Sequence, residues 1–125
     1  MLRKKVLIVD DDPNLIKSLG YVLQKEGYEF DIAQDGEEAM EKVKETAPGV
    51  ILLDIMMPRK NGYEVCAEVK GNSGLQDINI VVLSAKSQEA DRARGLAAGA
   101  DEYITKPFSP QTVVQKVKEL LGETV

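Results

Sequence analysis

Three stretches of the chain are continuously apolar, and each stops at a polar residue. Val6-Leu7-Ile8-Val9 ends at Asp10, Val50-Ile51-Leu52-Leu53 ends at Asp54, and Ile80-Val81-Val82-Leu83 ends at Ser84. Short runs rich in β-branched residues suit strands covered on both faces, which belong to parallel sheets. Tyr28 to Ala33 alternates as a further strand, and Glu102 to Thr105 predicts a short one.

Helical spacing fills the gaps. Asp12 followed by Pro13 fits an N-cap and first helical position, and Leu15, Leu19, Val22 and Leu23 form one stripe until Gly27 stops it. Gly36 to Thr46 carries Ala39, Met40 and Val43 inward, with Pro48-Gly49 as the break. Gly62 opens a helix whose buried face is Val65, Cys66 and Val69, a fourth helix runs from about Gln88 to Ala98, and a fifth starts at Pro110 with Val113, Val114, Val117, Leu120 and Leu121 inward. Strict alternation of strand and helix requires an α/β fold: a five-stranded parallel sheet with right-handed crossovers and helices on both faces.

A length of 125 residues sets this as one domain, 1–125, with its core over about 5–121. Hydrophobic residues at 43% and charged residues at 30% allow a full core and rule out collagen-like or wholly disordered chains. Sixteen Lys and Arg against 21 Asp and Glu leave a net charge of −5, which disfavours direct nucleic-acid binding by this segment. With no histidine and only Cys66, zinc sites, internal disulfides and Ser-His or Cys-His catalysis are excluded. The run from Val6 to Val9 is too short for a signal sequence or membrane span, so a cytoplasmic location is expected.

In an open sheet of this kind, ligands bind beyond the carboxyl ends of the strands, where strand order reverses. Five stretches lie there: Asp10-Asp11-Asp12, Gln34-Asp35-Gly36, Asp54, Ser84-Ala85 and Thr105-Lys106-Pro107. Asp12 as an N-cap and Asp35-Gly36 as a turn need no functional explanation. Asp10, Asp11 and Asp54 do, because three converging carboxylates repel one another. Mg²⁺ takes oxygen ligands, binds one or two carboxylates with a phosphate, and together with Lys106 brings the local formal charge to zero. Metal and ammonium together can then draw in a phosphoryl group, and a carboxylate can accept it as an aspartyl phosphate. Ser84 supplies a hydroxyl donor.

These segments resemble the receiver domains of two-component response regulators, a doubly wound (βα)5, flavodoxin-like fold. The likeness runs from Val6 to about Leu121 and rests on Leu7-Ile8-Val9-Asp10-Asp11-Asp12-Pro13, on Leu53-Asp54-Ile55-Met56-Met57-Pro58 with Asn61-Gly62, on Leu83-Ser84-Ala85, and on Gly99 through Phe108. The resemblance implies phosphorelay signalling, in which Asp54 takes a phosphoryl group from a phosphohistidine of a sensor histidine kinase or histidine phosphotransfer protein. It implies that Asp11 and Asp54 ligate Mg²⁺ directly, Asp10 through water and Met56 through its main-chain carbonyl, while Ser84 and Lys106 hold the phosphoryl oxygens. A cis peptide before Pro107 would aim Lys106 at the site. Ser84 and Tyr103 would form the switch, reshaping the surface of the fourth helix, fifth strand and fifth helix for an output domain or downstream protein.

Two departures qualify the resemblance. Receivers attached to winged-helix DNA-binding domains use three ion pairs across that face in their active dimers. Arg92, Asp101 and Glu102 match one half, but Thr112 and Glu123 stand where an acid and an arginine are expected, leaving only Lys116 to answer Glu102. One exposed pair is worth ~0–1 kcal/mol, so a monomer or a weak phosphorylation-dependent dimer is expected. Met56 and Lys86, each two residues beyond Asp54 or Ser84, predict slow self-dephosphorylation, because a thioether cannot orient an attacking water. Two other classes stand beside the signalling switch: a Mg²⁺-dependent aspartyl phosphatase or phosphotransferase, which would want a second acid where Met56 stands, and an unphosphorylated scaffold. Cys66 reads as core and the Met56-Met57 pair as loop packing. Gly122-Glu123-Thr124-Val125 reads as a natural end or the start of a linker.

Overall fold

The computed structural model describes residues 5–56, 60–86 and 88–122; Met57, Pro58 and Glu123 lie outside them. The elements alternate as β1 (Lys5–Val9), α1 (Pro13–Lys25), β2 (Glu29–Ala33), α2 (Gly36–Thr46), β3 (Val50–Asp54), α3 (Gly62–Lys70), β4 (Asn79–Ser84), α4 (Glu89–Ala97), β5 (Glu102–Thr105) and α5 (Pro110–Leu120). All strand pairs are parallel and their order is β2-β1-β3-β4-β5. The order reverses between β1 and β3, so the crevice of the doubly wound sheet lies beside the ends of those two strands.

The strand side chains divide between two cores, because successive residues point to opposite faces. Val6, Ile8, Val50, Leu52, Val81 and Leu83 face α1 and α5, where Leu19, Leu23, Val113, Val114 and Val117 are buried. Leu7, Val9, Ile51, Leu53, Ile80 and Val82 face Ala39, Met40 and Val43 of α2 and Val65, Cys66 and Val69 of α3. Burying each large aliphatic side chain contributes roughly 1.5–3 kcal/mol, so the two layers hold the strand ends in fixed register.

The helix starts are chemically capped. The Asp12 carboxylate accepts from the Asn14 N–H at 3.0 Å with Pro13 at the first position, and Asp35 accepts from the Glu38 N–H at 2.9 Å. Asp12 is thus the N-cap expected of it, whereas Asp35, expected in a turn with Gly36, is the N-cap of α2. Gly62 packs against the end of β3: a Cβ there would lie 2.7 Å from the Ile55 Cα and 2.9 Å from the Asp54 carbonyl oxygen. Only glycine permits α3 to approach the Asp54 backbone this closely.

Some boundaries shift. Tyr28 lies just before β2, and Gln88 and Ala98 cap α4 instead of continuing it. The alternation expected of Tyr28 to Ala33 is incomplete, with Phe30 and Asp31 both half-buried and Ile32 exposed. This edge strand has one neighbour, and Asp31 pairs across it with Lys5 at 3.1 Å.

Candidate functional site

Register brings the polar strand ends together. Val9 pairs with Leu53, so the next residues, Asp10 and Asp54, stand side by side at the topological reversal. Asp54 pairs with Leu83 and Ser84 with Thr105, which sets Ser84 one step beyond Asp54 and Lys106 one step beyond β5. The Lys106–Pro107 peptide is cis, as the resemblance to receiver domains implied.

Asp10 is almost wholly buried. Its N–H donates to the Ala33 carbonyl at 3.1 Å, its Oδ1 accepts from the Asp12 N–H at 2.9 Å, and its Oδ2 lies 3.2 Å from Lys106 Nζ. Asp54, 8% exposed, accepts from the Met56 N–H at 3.1 Å through Oδ1, while its Oδ2 is 3.8 Å from the same Lys106 Nζ. One ammonium thus serves two buried carboxylates. Asp11 completes the cluster from the exposed side, with one carboxylate oxygen of each aspartate within 4.8 Å of the others.

The electrostatics follow from this shortage of positive charge. Burial pushes the Asp54 carboxyl above the ordinary carboxylate value, the Met56 N–H and Lys106 pull it back, and the charges of Asp10 and Asp11 push it up again. A hard divalent cation fits such a donor set, since Mg²⁺ prefers carboxylate oxygens and keeps room for water and phosphate. The cluster therefore suits an oxygen-ligated ion.

Ser84 is fully buried at the end of β4. Its hydroxyl oxygen accepts from the Lys86 N–H at 3.1 Å, and its carbonyl accepts from the Lys106 N–H at 2.7 Å. The Tyr103 hydroxyl donates to the Lys86 carbonyl at 2.8 Å, with its ring buried under Gly95 of α4 and the Arg92 guanidinium 5.4 Å from the ring centroid. Lys86 backbone atoms therefore join the two residues expected to form the switch. Sequence spacing alone had no signal for this bridge, which needs the β4-to-α4 turn in three dimensions.

The face built by α4, β5 and α5 is engaged within the chain. Asp101 pairs with Lys70 at 3.0 Å and accepts from the buried Ile80 N–H at 2.8 Å. Glu102 is 3.4 Å from Lys116, which also meets Glu119 at 3.1 Å. Thr112 meets the Ser109 cap of α5. Among the described residues, Asp101 and Glu102 already have intrachain ion-pair partners, while Arg92, also matched to a dimer ion pair, lies over the Tyr103 ring. The start of α3 carries a capping box, in which Asn61 accepts from the Glu64 N–H at 3.0 Å and Glu64 from the Asn61 N–H at 3.1 Å, and its signal in the sequence is the Asn-x-x-Glu spacing.

Comparison with known proteins agrees with this geometry. The sequence profile of the family described as response regulator receiver domain matches residues 6–118. The chain is 42% identical over 120 residues to the alkaline phosphatase synthesis transcriptional regulatory protein PhoP of Bacillus subtilis, covering 96% of this chain and 49% of that protein. It thus spans about half the length of the curated relatives it matches. Among solved structures, the signal receiver domain of a signal transduction histidine kinase from Syntrophus aciditrophicus is 35% identical with a TM-score of 0.87, over 94% of this chain and 89% of that one. The chemotaxis response regulator CheY4 of Vibrio cholerae is 31% identical with a TM-score of 0.87, over 96% and 99%. No helix among the described residues is long and apolar enough to cross a membrane. With five parallel strands in receiver order and an acidic cluster at their carboxyl ends, the chain belongs to the response regulator receiver domains of two-component systems, whose family function is to accept a phosphoryl group.

Proposed function

We propose that Asp54 is the phosphoacceptor, and that the observation carrying this assignment is the gathering of Asp10, Asp11 and Asp54 oxygens within 4.8 Å around one shared lysine. Asp11, Asp54 and the Met56 carbonyl would hold Mg²⁺, with Asp10 reached through water. Bound there, the ion would supply the positive charge that three carboxylates lack. The Asp54 oxygen not engaged by Met56 forms a bond to phosphorus in line as the bond from phosphorus to the donor's imidazole nitrogen breaks, its electron pair staying on that nitrogen, and Lys106 turns from its two carboxylates to an equatorial phosphoryl oxygen. The Ser84 hydroxyl donates to another. Its present bond uses it as an acceptor, so its proton is free for that role.

The signal leaves through Lys86. Drawing Ser84 toward phosphate disturbs the Lys86 N–H, while the Lys86 carbonyl holds Tyr103, so the two ends of one residue couple the site to the α4-β5-α5 face. The donor is a phosphohistidine of a sensor kinase or phosphotransfer protein in the cytoplasm, and the target is an output domain or separate protein. Relatives twice this length include transcriptional regulators, which supports DNA-binding output by another part of a longer protein, since this segment carries net charge −5. The engaged ion-pairing residues favour a monomer or a weak phosphorylation-dependent dimer over a strong one.

Incubation with Mg²⁺ and phosphoramidate, followed by peptide mapping, tests the assignment. One phosphoryl group per chain at Asp54, absent from Asp54→Asn, is expected. Continuous turnover of donor would favour an aspartyl phosphatase instead, and no labelling would leave a scaffold.

A further inference from the structure

Gly36, the first residue of α2, has a helical backbone that any residue could adopt, since positive φ among the described glycines is confined to Gly27, Gly99 and Gly122. A neighbour excludes the side chain instead. A Cβ on Gly36 would lie 2.0 Å from the Lys60 carbonyl oxygen, 2.6 Å from the Lys60 Cβ and 2.7 Å from its carbonyl carbon, so the main chain of Lys60 rests directly on the start of α2. Lys60 belongs to the loop that leaves β3 at Asp54 and returns at Gly62, whose N–H closes the base by donating to the Ile55 carbonyl at 3.0 Å. On the returning arm, the Lys60 ammonium meets Glu68 of α3 and Asn61 is held in its capping box with Glu64. On the departing arm, the Met56 N–H donates to Asp54. The loop is thus tied at its base and seated on α2, which is itself anchored by the Asp35 cap and by Ala39, Met40 and Val43 in the core.

We infer that Gly36 is a positioning residue for the acidic site: its bare Cα sets how close the β3-to-α3 loop lies to α2, and through that loop where the Met56 main chain stands beside Asp54. The inference rests on the Met56 carbonyl being the metal ligand proposed for it. A non-bonded carbon and a carbonyl oxygen approach to about 3.3 Å, so a methyl group at position 36 forces the Lys60 carbonyl to retreat by roughly 1 Å. A helix packed into the core yields less readily than a loop, and with Gly62 seated against the Asp54 backbone the displacement runs back along the loop toward Met56. Mg²⁺ demands near-ideal octahedral oxygens, whereas Ca²⁺ accepts larger and less regular sets. Misplacing one carbonyl therefore discriminates between the two ions.

Calorimetric titration with Mg²⁺ and, separately, with Ca²⁺ reads the effect as a ratio of dissociation constants, which a general loss of stability would not move. Gly36→Ala should weaken Mg²⁺ binding by roughly three- to tenfold and Ca²⁺ binding by less than about twofold. Gly74→Ala, where a new Cβ would meet nothing closer than Asn72 Oδ1 at 3.4 Å, should leave both constants unchanged. Lys60→Gly keeps the main-chain contact with Gly36 but unties the loop from Glu68, and should weaken Mg²⁺ binding by about two- to threefold with Ca²⁺ again spared. That variant decides the matter if circular dichroism shows that Gly36→Ala does not fold. An unchanged ratio in folded Gly36→Ala, or in Lys60→Gly where Gly36→Ala does not fold, would overturn the inference, and so would an equal shift in Gly74→Ala. Wild-type protein that binds neither ion would instead remove the metal site itself, and this inference with it.

Discussion

Asp54 and Asp101 are both half of an acid-lysine contact, yet they sit at opposite ends of β4 and in opposite states of satisfaction. Asp101 takes a 3.0 Å contact from Lys70 and a 2.8 Å hydrogen bond from the Ile80 N–H, and Lys70 is itself held by the Ile78 carbonyl at 2.8 Å. Asp54 shares Lys106 with Asp10 at 3.8 Å and faces Asp11 as well. The first acid joins the start of β4 to the start of β5 and is complete. The second is buried beside like charges, and burial raises its pKa. A fold keeps such an unfavourable arrangement where a ligand completes it, which is the difference between a structural carboxylate and a functional one.

The largest separation of the two acids is chemical. Asp54→Asn should abolish phosphoryl uptake in the labelling assay, whereas Asp101→Asn should leave an acceptor that still labels fully. Stability should respond in the reverse sense. Asp101→Ala strips the buried Ile80 N–H of its partner and should cost about 1–3 kcal/mol in denaturant unfolding.

Asp54→Asn should instead stabilise the protein at neutral pH in the absence of Mg²⁺, and pH checks the cause. Because the folded pKa of Asp54 is raised, the unfolded chain loses this proton first. Its stabilising contribution is whole below the unfolded carboxylate value near 3.8 and is lost as pH rises through the higher folded value. The advantage of Asp54→Asn over wild type should therefore appear across that rise and shrink toward zero below it. A thermal-melt series from acid to neutral pH reads this, and an advantage independent of pH would assign it to packing instead.

Much of this contrast was legible in the sequence. Parallel strands buried on both faces announce themselves as apolar runs, so Val6–Val9, Val50–Leu53 and Ile80–Leu83 could be placed, and the acids that end two of them followed from α/β topology. The edge strand was less clear because Asp31 and Ile32 answer to one neighbour and to solvent. The Asp101–Lys70 contact was hidden for another reason. The two residues are far apart in sequence and meet only once α3 and the turn before β5 are packed, so Asp101 looked like a dimer residue by position alone. Lys86 was noticed for its distance from Ser84, while its main-chain role between Ser84 and Tyr103 depends on a turn that side-chain patterns do not encode.

Smaller effects refine the picture. Met56→Asn should speed loss of the phosphoryl group by roughly two- to tenfold, since an amide beside Asp54 can orient water and the exposed thioether cannot; decay of labelled protein after donor removal measures it. Lys116→Ala, which breaks half-exposed contacts to Glu102 and Glu119, should change stability by no more than about 1 kcal/mol.

The central claim is that the acidic cluster is incomplete without a divalent ion, and calorimetric titration of the chain with Mg²⁺ tests it most directly. One saturable site is predicted, lost in Asp11→Ala and unaffected in Asp101→Asn. Absence of saturable binding in the wild type, or binding that survives Asp11→Ala unchanged, would contradict the account.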